Sequence, residues 1–69
     1  MAVEPAEIWQ TIVKADELLK YATEDKEALR REQAIGLLRR ALSEARASGN
    51  EPLAEQARTR LRDLGVGDA

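Results

Sequence analysis

The chain has 69 residues, a net charge of −2, and neither cysteine nor histidine. A chain this short makes one small domain that buries only about 60% of its unfolded surface, so it needs close packing or a partner. The missing residues exclude disulfides, thiolate metal sites and histidine general bases. No apolar run is long enough to span a membrane and no basic-then-apolar leader opens the chain, so a cytoplasmic protein is expected.

The apolar residues are mostly small: twelve Ala and nine Leu, against three Ile, three Val, one Trp, one Tyr and no Phe. Such a set favours helix and close helix–helix contact, and it is too poor in β-branched and aromatic residues for a sheet. Charge is uneven. Residues 1–27 carry seven acids and three lysines, whereas residues 28–69 carry eight arginines and six acids. This is a mild dipole, far from a nucleic-acid polyelectrolyte.

A first helix is expected over residues 5–22. Pro5 suits a first helical turn, where its missing N–H goes unnoticed, and Glu4 and Glu7 suit the positive end of the dipole. Ile8, Ile12, Ala15, Leu19 and Ala22 recur at alternating spacings of four and three, which sets them in one stripe. Thr23 or Asp25 could cap a second helix over residues 25–48, although no Gly or Pro enforces a break. Without a turn there, one helix of improbable length would result.

In the second helix Ala34, Ile35, Leu37, Leu38, Ala41, Leu42 and Ala45 span an arc of roughly 160°. An arc that wide touches two neighbours, which makes this helix central. Gly49 supplies the left-handed stop, Asn50 an N-cap and Pro52 a first turn for a third helix over residues 51–64. That helix places Leu53, Ala54, Ala57, Leu61 and Leu64 on one face. Residues 65–69 read as a frayed tail. The fold class is therefore all-α: a three-helix, up-down-up bundle over residues 1–69.

Ala34, Leu38 and Ala41 resemble the small–large–small pattern in the second helix of a tetratricopeptide repeat. Gly49-Asn50 is similar to the turn between successive repeats, and Leu61, Leu64 and Gly65 to the start of the next one. Leu18, Tyr21 and Ala22 match the equivalent places in the first helix more loosely. The resemblance covers residues 34–65 and implies a helical-hairpin binding scaffold with no chemistry of its own. The same two-helix pattern also resembles the microtubule-interacting and trafficking domain.

Nothing points to catalysis. Ser43 and Ser48 have no histidine to activate them, and adjacent carboxylates such as Asp16-Glu17 diverge by about 100° on a helix and read as a solvated face. No catalytic, metal or cofactor site is expected; Asp and Glu occur in no recognisable metal-binding loop. Arg39, Arg40, Arg46, Arg58 and Arg62 could meet phosphates, but interspersed acids should pair with them along the helices.

Two surfaces suggest a protein partner instead. Trp9 and Val13 lie one turn apart, roughly 100–140° round from the Ile8 stripe. There Trp9 either closes the open edge of the core or meets another chain. Leu29, Gly36 and Ser43 recur every seven residues opposite the second helix's core arc. Tyr21 is expected to be half-buried. The expected function is a non-enzymatic protein–protein interaction module or small adaptor, self-associating as a homo-oligomer through apolar helix faces, with Arg39 and Arg40 steering acidic partners. The alternative is a small nucleic-acid-binding or regulatory protein using the arginine-bearing faces. No membrane contact is expected.

Overall fold

The computed structural model describes residues 3–66 and contains three α-helices: α1 (Pro5–Lys20), α2 (Glu27–Ala47) and α3 (Glu51–Asp63). A single 3-10 turn, Glu24–Lys26, separates α1 from α2, and the described residues contain no strand. The all-α three-helix bundle expected from the sequence is the observed fold.

Helix α2 is central. It packs along both neighbours, while α1 and α3 touch each other much less. Ile8, Ile12 and Ala15 of α1, Ala34, Leu38, Ala41, Leu42 and Ala45 of α2, and Ala54, Ala57 and Leu61 of α3 form the buried cluster. Leu19, Ile35, Leu37, Leu53 and Leu64 pack on its rim. No polar or charged side chain is buried among the described residues. The cluster is rich in alanine, so the helices approach closely and hold one another largely through backbone and Cβ contacts.

The α2–α3 junction follows the chemistry its residues suggest. Gly49 has φ +69, the left-handed conformation that other residues resist. Its N–H donates to Arg46 C=O (3.1 Å) and the Asn50 N–H to Ala45 C=O (2.8 Å), the paired bonds of a Schellman stop. The Asn50 side chain then accepts from Leu53 N–H at 3.2 Å and starts α3. Asn50→Ala should cost about 1 kcal/mol, read as a lower denaturant midpoint at unchanged slope.

Four expectations are corrected. Helix α1 stops at Lys20, not residue 22, because Thr23 is already extended (ψ 160), which leaves Ala22 half-buried outside the helix. Neither Thr23 nor Asp25 caps α2; the Thr23 hydroxyl donates to Asp25 Oδ1 (2.8 Å) instead. Tyr21 is 70% exposed, not half-buried: it stands at the C-cap of α1, on the rim of an open hollow that Leu18 and Arg30 also line. Gly65 and Val66 are not frayed; residues 67–69 of the expected tail lie outside the described residues. Gly65 (φ +77) and Val66 form a second Schellman stop, donating to Arg62 C=O (2.9 Å) and Leu61 C=O (3.0 Å). Arg31 of α2 donates to Leu64 C=O, and Val66 packs on the core.

Candidate functional site

The narrow contact between α1 and α3 is organised by one arginine. Trp9 and Asp16 stand seven residues apart on α1 and therefore share a face. Across from them, Arg60 of α3 donates from Nε to both carboxylate oxygens of Asp16, at 2.9 and 3.0 Å. Its Nη1 donates to Gln56 C=O (3.1 Å) and Gln56 Oε1 (2.8 Å). So fixed, the guanidinium lies 5.7 Å from the centre of the Trp9 ring, within cation–π range.

Trp9 is 42% exposed in this arrangement. It neither closes the core nor stands free: Arg60 covers part of the indole while the rest faces solvent. Half-buried Val13 lies one turn further along the same edge of α1. The reading of Asp16 as a merely solvated carboxylate is corrected, since it is the anchor that holds Arg60 over the ring.

Leu29, Gly36 and Ser43 are all exposed on the side of α2 that meets neither neighbour, with Leu29 53% exposed. A methyl group added at Gly36 would meet nothing within 4 Å, so no element of this chain approaches that glycine. This row and the Trp9–Val13 edge stay apart. Arg39 is exposed, and exposed Arg40 pairs with Glu44 at 3.3 Å. Glu55 lies between Arg58 (2.6 Å) and Arg62 (3.9 Å). Each of these exposed pairs contributes at most about 1 kcal/mol. Their consequence is that much of the arginine charge is met within the chain.

Two open hollows of about 270 Å³ each lie between α1 and α2, lined by residues that include Lys14, Leu18, Tyr21 and Arg30 in one and Lys14, Leu37 and Arg40 in the other. Glu7 and Thr11 also line the second, where the Thr11 hydroxyl donates to Glu7 C=O at 3.1 Å. Ser48 Oγ donates to Glu44 C=O (2.7 Å), satisfying α2's end. No cluster of three or more acidic side chains able to hold a metal ion occurs among the described residues. No described helix is long and apolar enough to cross a membrane.

Sequence reasoning singled out Trp9 and Val13 and missed Asp16, Gln56 and Arg60. The seven-residue spacing of Trp9 and Asp16 was a usable signal. Nothing local distinguishes Arg60 from the other seven arginines. No protein-family model, curated protein or solved structure matches the chain.

Proposed function

We propose that this chain is a non-enzymatic protein-interaction module that docks through apolar helix faces and also self-associates. The observation that carries the reading is Trp9. The chain has one Trp and one Tyr, and both are exposed while alanine, leucine and isoleucine fill the core. A Trp held at the surface by a fixed arginine loses little side-chain freedom when a partner covers it, which is the property of an interface anchor. The tetratricopeptide-like pattern of α2 and α3 supports the same reading, because that scaffold binds and does not catalyse. Exposed Arg39 steers acidic partners toward the outer face of α2, while Arg40 beside it is met by Glu44. The ion pairing of Arg40, Arg58, Arg60 and Arg62 weighs against the nucleic-acid alternative.

Because Trp9 is the only tryptophan, its emission reports directly on docking. Molar mass from light scattering, followed with Trp9 emission over a wide concentration range, tests self-association. A mass rising above 7.7 kDa with a blue-shifted Trp9 emission in the wild type, and a smaller rise in mass in Trp9→Ala, is the expected result. A mass fixed at 7.7 kDa throughout removes self-association. Photo-crosslinkers placed at position 13 and, separately, at position 43 in the native host that both yield no protein adduct then remove the interaction reading altogether.

A further inference from the structure

The two junctions of this fold are built differently. The α2–α3 turn is fixed by a left-handed glycine and a side-chain cap. The α1–α2 junction, residues 21–26, has neither. It contains no Gly or Pro, no positive φ, no side-chain cap on either flanking helix end, and no buried residue in its 3-10 turn. Tyr21 (φ −103, ψ 12) and Lys26 (φ −114, ψ 7) lie in the bridge region between helical and extended backbone, and Thr23 is extended. The turn is closed by the bond from Lys26 N–H to Thr23 C=O (2.9 Å). One side-chain bond within the segment, from the Thr23 hydroxyl to Asp25 Oδ1 (2.8 Å), supports the turn, and the burial of α1 on α2 and α3 holds the bend.

Two further observations meet at this junction. Of the three large apolar side chains that stand exposed among the described residues, Tyr21 opens the junction and Leu29 lies just beyond it. In addition, Ile8, Ala15, Ala22, Leu29, Gly36 and Ser43 follow one another at intervals of seven. In the compact chain this series is broken: Ile8 and Ala15 are buried, and Leu29, Gly36 and Ser43 face solvent. In a continuous helix over residues 5–47 it becomes a slowly winding stripe, drifting about 20° per heptad and about 100° from end to end.

We propose that α1 is exchanged between two copies of this chain by straightening residues 21–26. The inference rests on the self-association reading and gives its mechanism. Each α1 leaves its own α2 and α3 and occupies the equivalent seat on the partner copy. Ile8, Ile12 and Ala15 find the same alanine-rich surface there, and Asp16 finds the same Arg60. All contacts of α1 are therefore kept, and only the hinge changes, which makes such exchange a low-cost route to a dimer. The straightened hinges of the two copies meet where they cross, and Tyr21 and Leu29 supply the apolar surface for that new contact. The compact monomer and the exchanged dimer differ mainly by the hinge contact and the entropy of association, so concentration selects between them.

Glu24→Pro tests the hinge. Residue 24 opens the 3-10 turn, where proline is tolerated, and the preceding Thr23 already has the extended backbone that proline requires. A continuous helix would lose the hydrogen bond from residue 24 to Lys20 C=O and clash there. Refolded at high concentration, the wild type should yield a dimer of twice 7.7 kDa that converts slowly to monomer on dilution, and E24P should yield monomer only.

A second experiment does not depend on E24P folding. Separate chains carrying D16R and R60D each place like charges across the α1–α3 contact. Refolded together, an exchanged heterodimer restores both ion pairs, so native mass spectrometry should find heterodimer in excess of statistical mixing. E24P dimerising as readily as wild type, or random mixing of D16R with R60D, overturns the exchange while leaving face-to-face association intact. A wild type that never dimerises overturns the exchange and self-association together, while a partner of another kind, seen as a crosslink from position 13 or 43, keeps the interaction reading.

Discussion

Leu38→Ala should bring this domain close to its unfolding threshold. Leu38 is fully buried on the central helix, and it is one of the three largest side chains with no solvent exposure. Removing a buried leucine side chain costs about 2–5 kcal/mol, and the figure rises with the cavity that remains. The surroundings favour the upper half of that range. Much of the buried cluster is alanine, from Ala34, Ala41 and Ala45 of the same helix to Ala15, Ala54 and Ala57 of its neighbours. Alanine has no rotamer with which to refill a void, so the cavity closes only if whole helices shift. A domain of 69 residues has a total stability of about 3–10 kcal/mol, so the loss is a large share of it. Urea unfolding followed by circular dichroism should show a midpoint far below wild type. Leu29→Ala, made on the exposed face of the same helix, should leave monomer stability within about 0.5 kcal/mol. A similar fall for both variants would mean that Leu38 does not hold the core.

The contrast between these two leucines was legible in the sequence, and the reason is periodicity. All seven residues assigned to the inner arc of α2 lie in the core or against it, while Leu29 falls opposite them. The Gly49-Asn50 stop was legible because both residues carry their conformational preference with them. The α1–α2 boundary was not, since residues 21–26 have no strong preference and are bent by contacts made elsewhere. The second Schellman stop hid for a related reason: Gly65 was visible as a helix end, but the packing of Val66 and the reach of Arg31 are tertiary events. The Trp9 site shows the same division. The position of Trp9 on the rim of α1 follows from 100° per residue. Its partner Arg60 is 51 positions away in sequence. A long-range pair between one acid and one of eight arginines leaves no local trace.

Alanine at Gly36 and alanine at Gly49 should change stability in opposite directions. The space is the same at both sites, since an added Cβ meets nothing within 4 Å at either. Only the backbone differs. Gly36 sits inside α2 with ordinary helical geometry, so Gly36→Ala removes the unfolded-state freedom of glycine and should stabilise the monomer by up to about 1 kcal/mol. Gly49 has φ +69, and a Cβ there strains against the neighbouring carbonyl, so Gly49→Ala should cost about 1–2 kcal/mol. Denaturant midpoints measured side by side decide both signs at once. The Gly36 variant carries a second readout, because a glycine kept on an open helix face forgoes stability that alanine would supply. If a second helix lies close over the row of Leu29, Gly36 and Ser43, the new methyl group stands in its way. Gly36→Ala should then raise the thermal midpoint of the monomer while weakening self-association in light scattering. A gain in stability with association unchanged would place the contact elsewhere on the molecule, at the hinge or at the Trp9 edge.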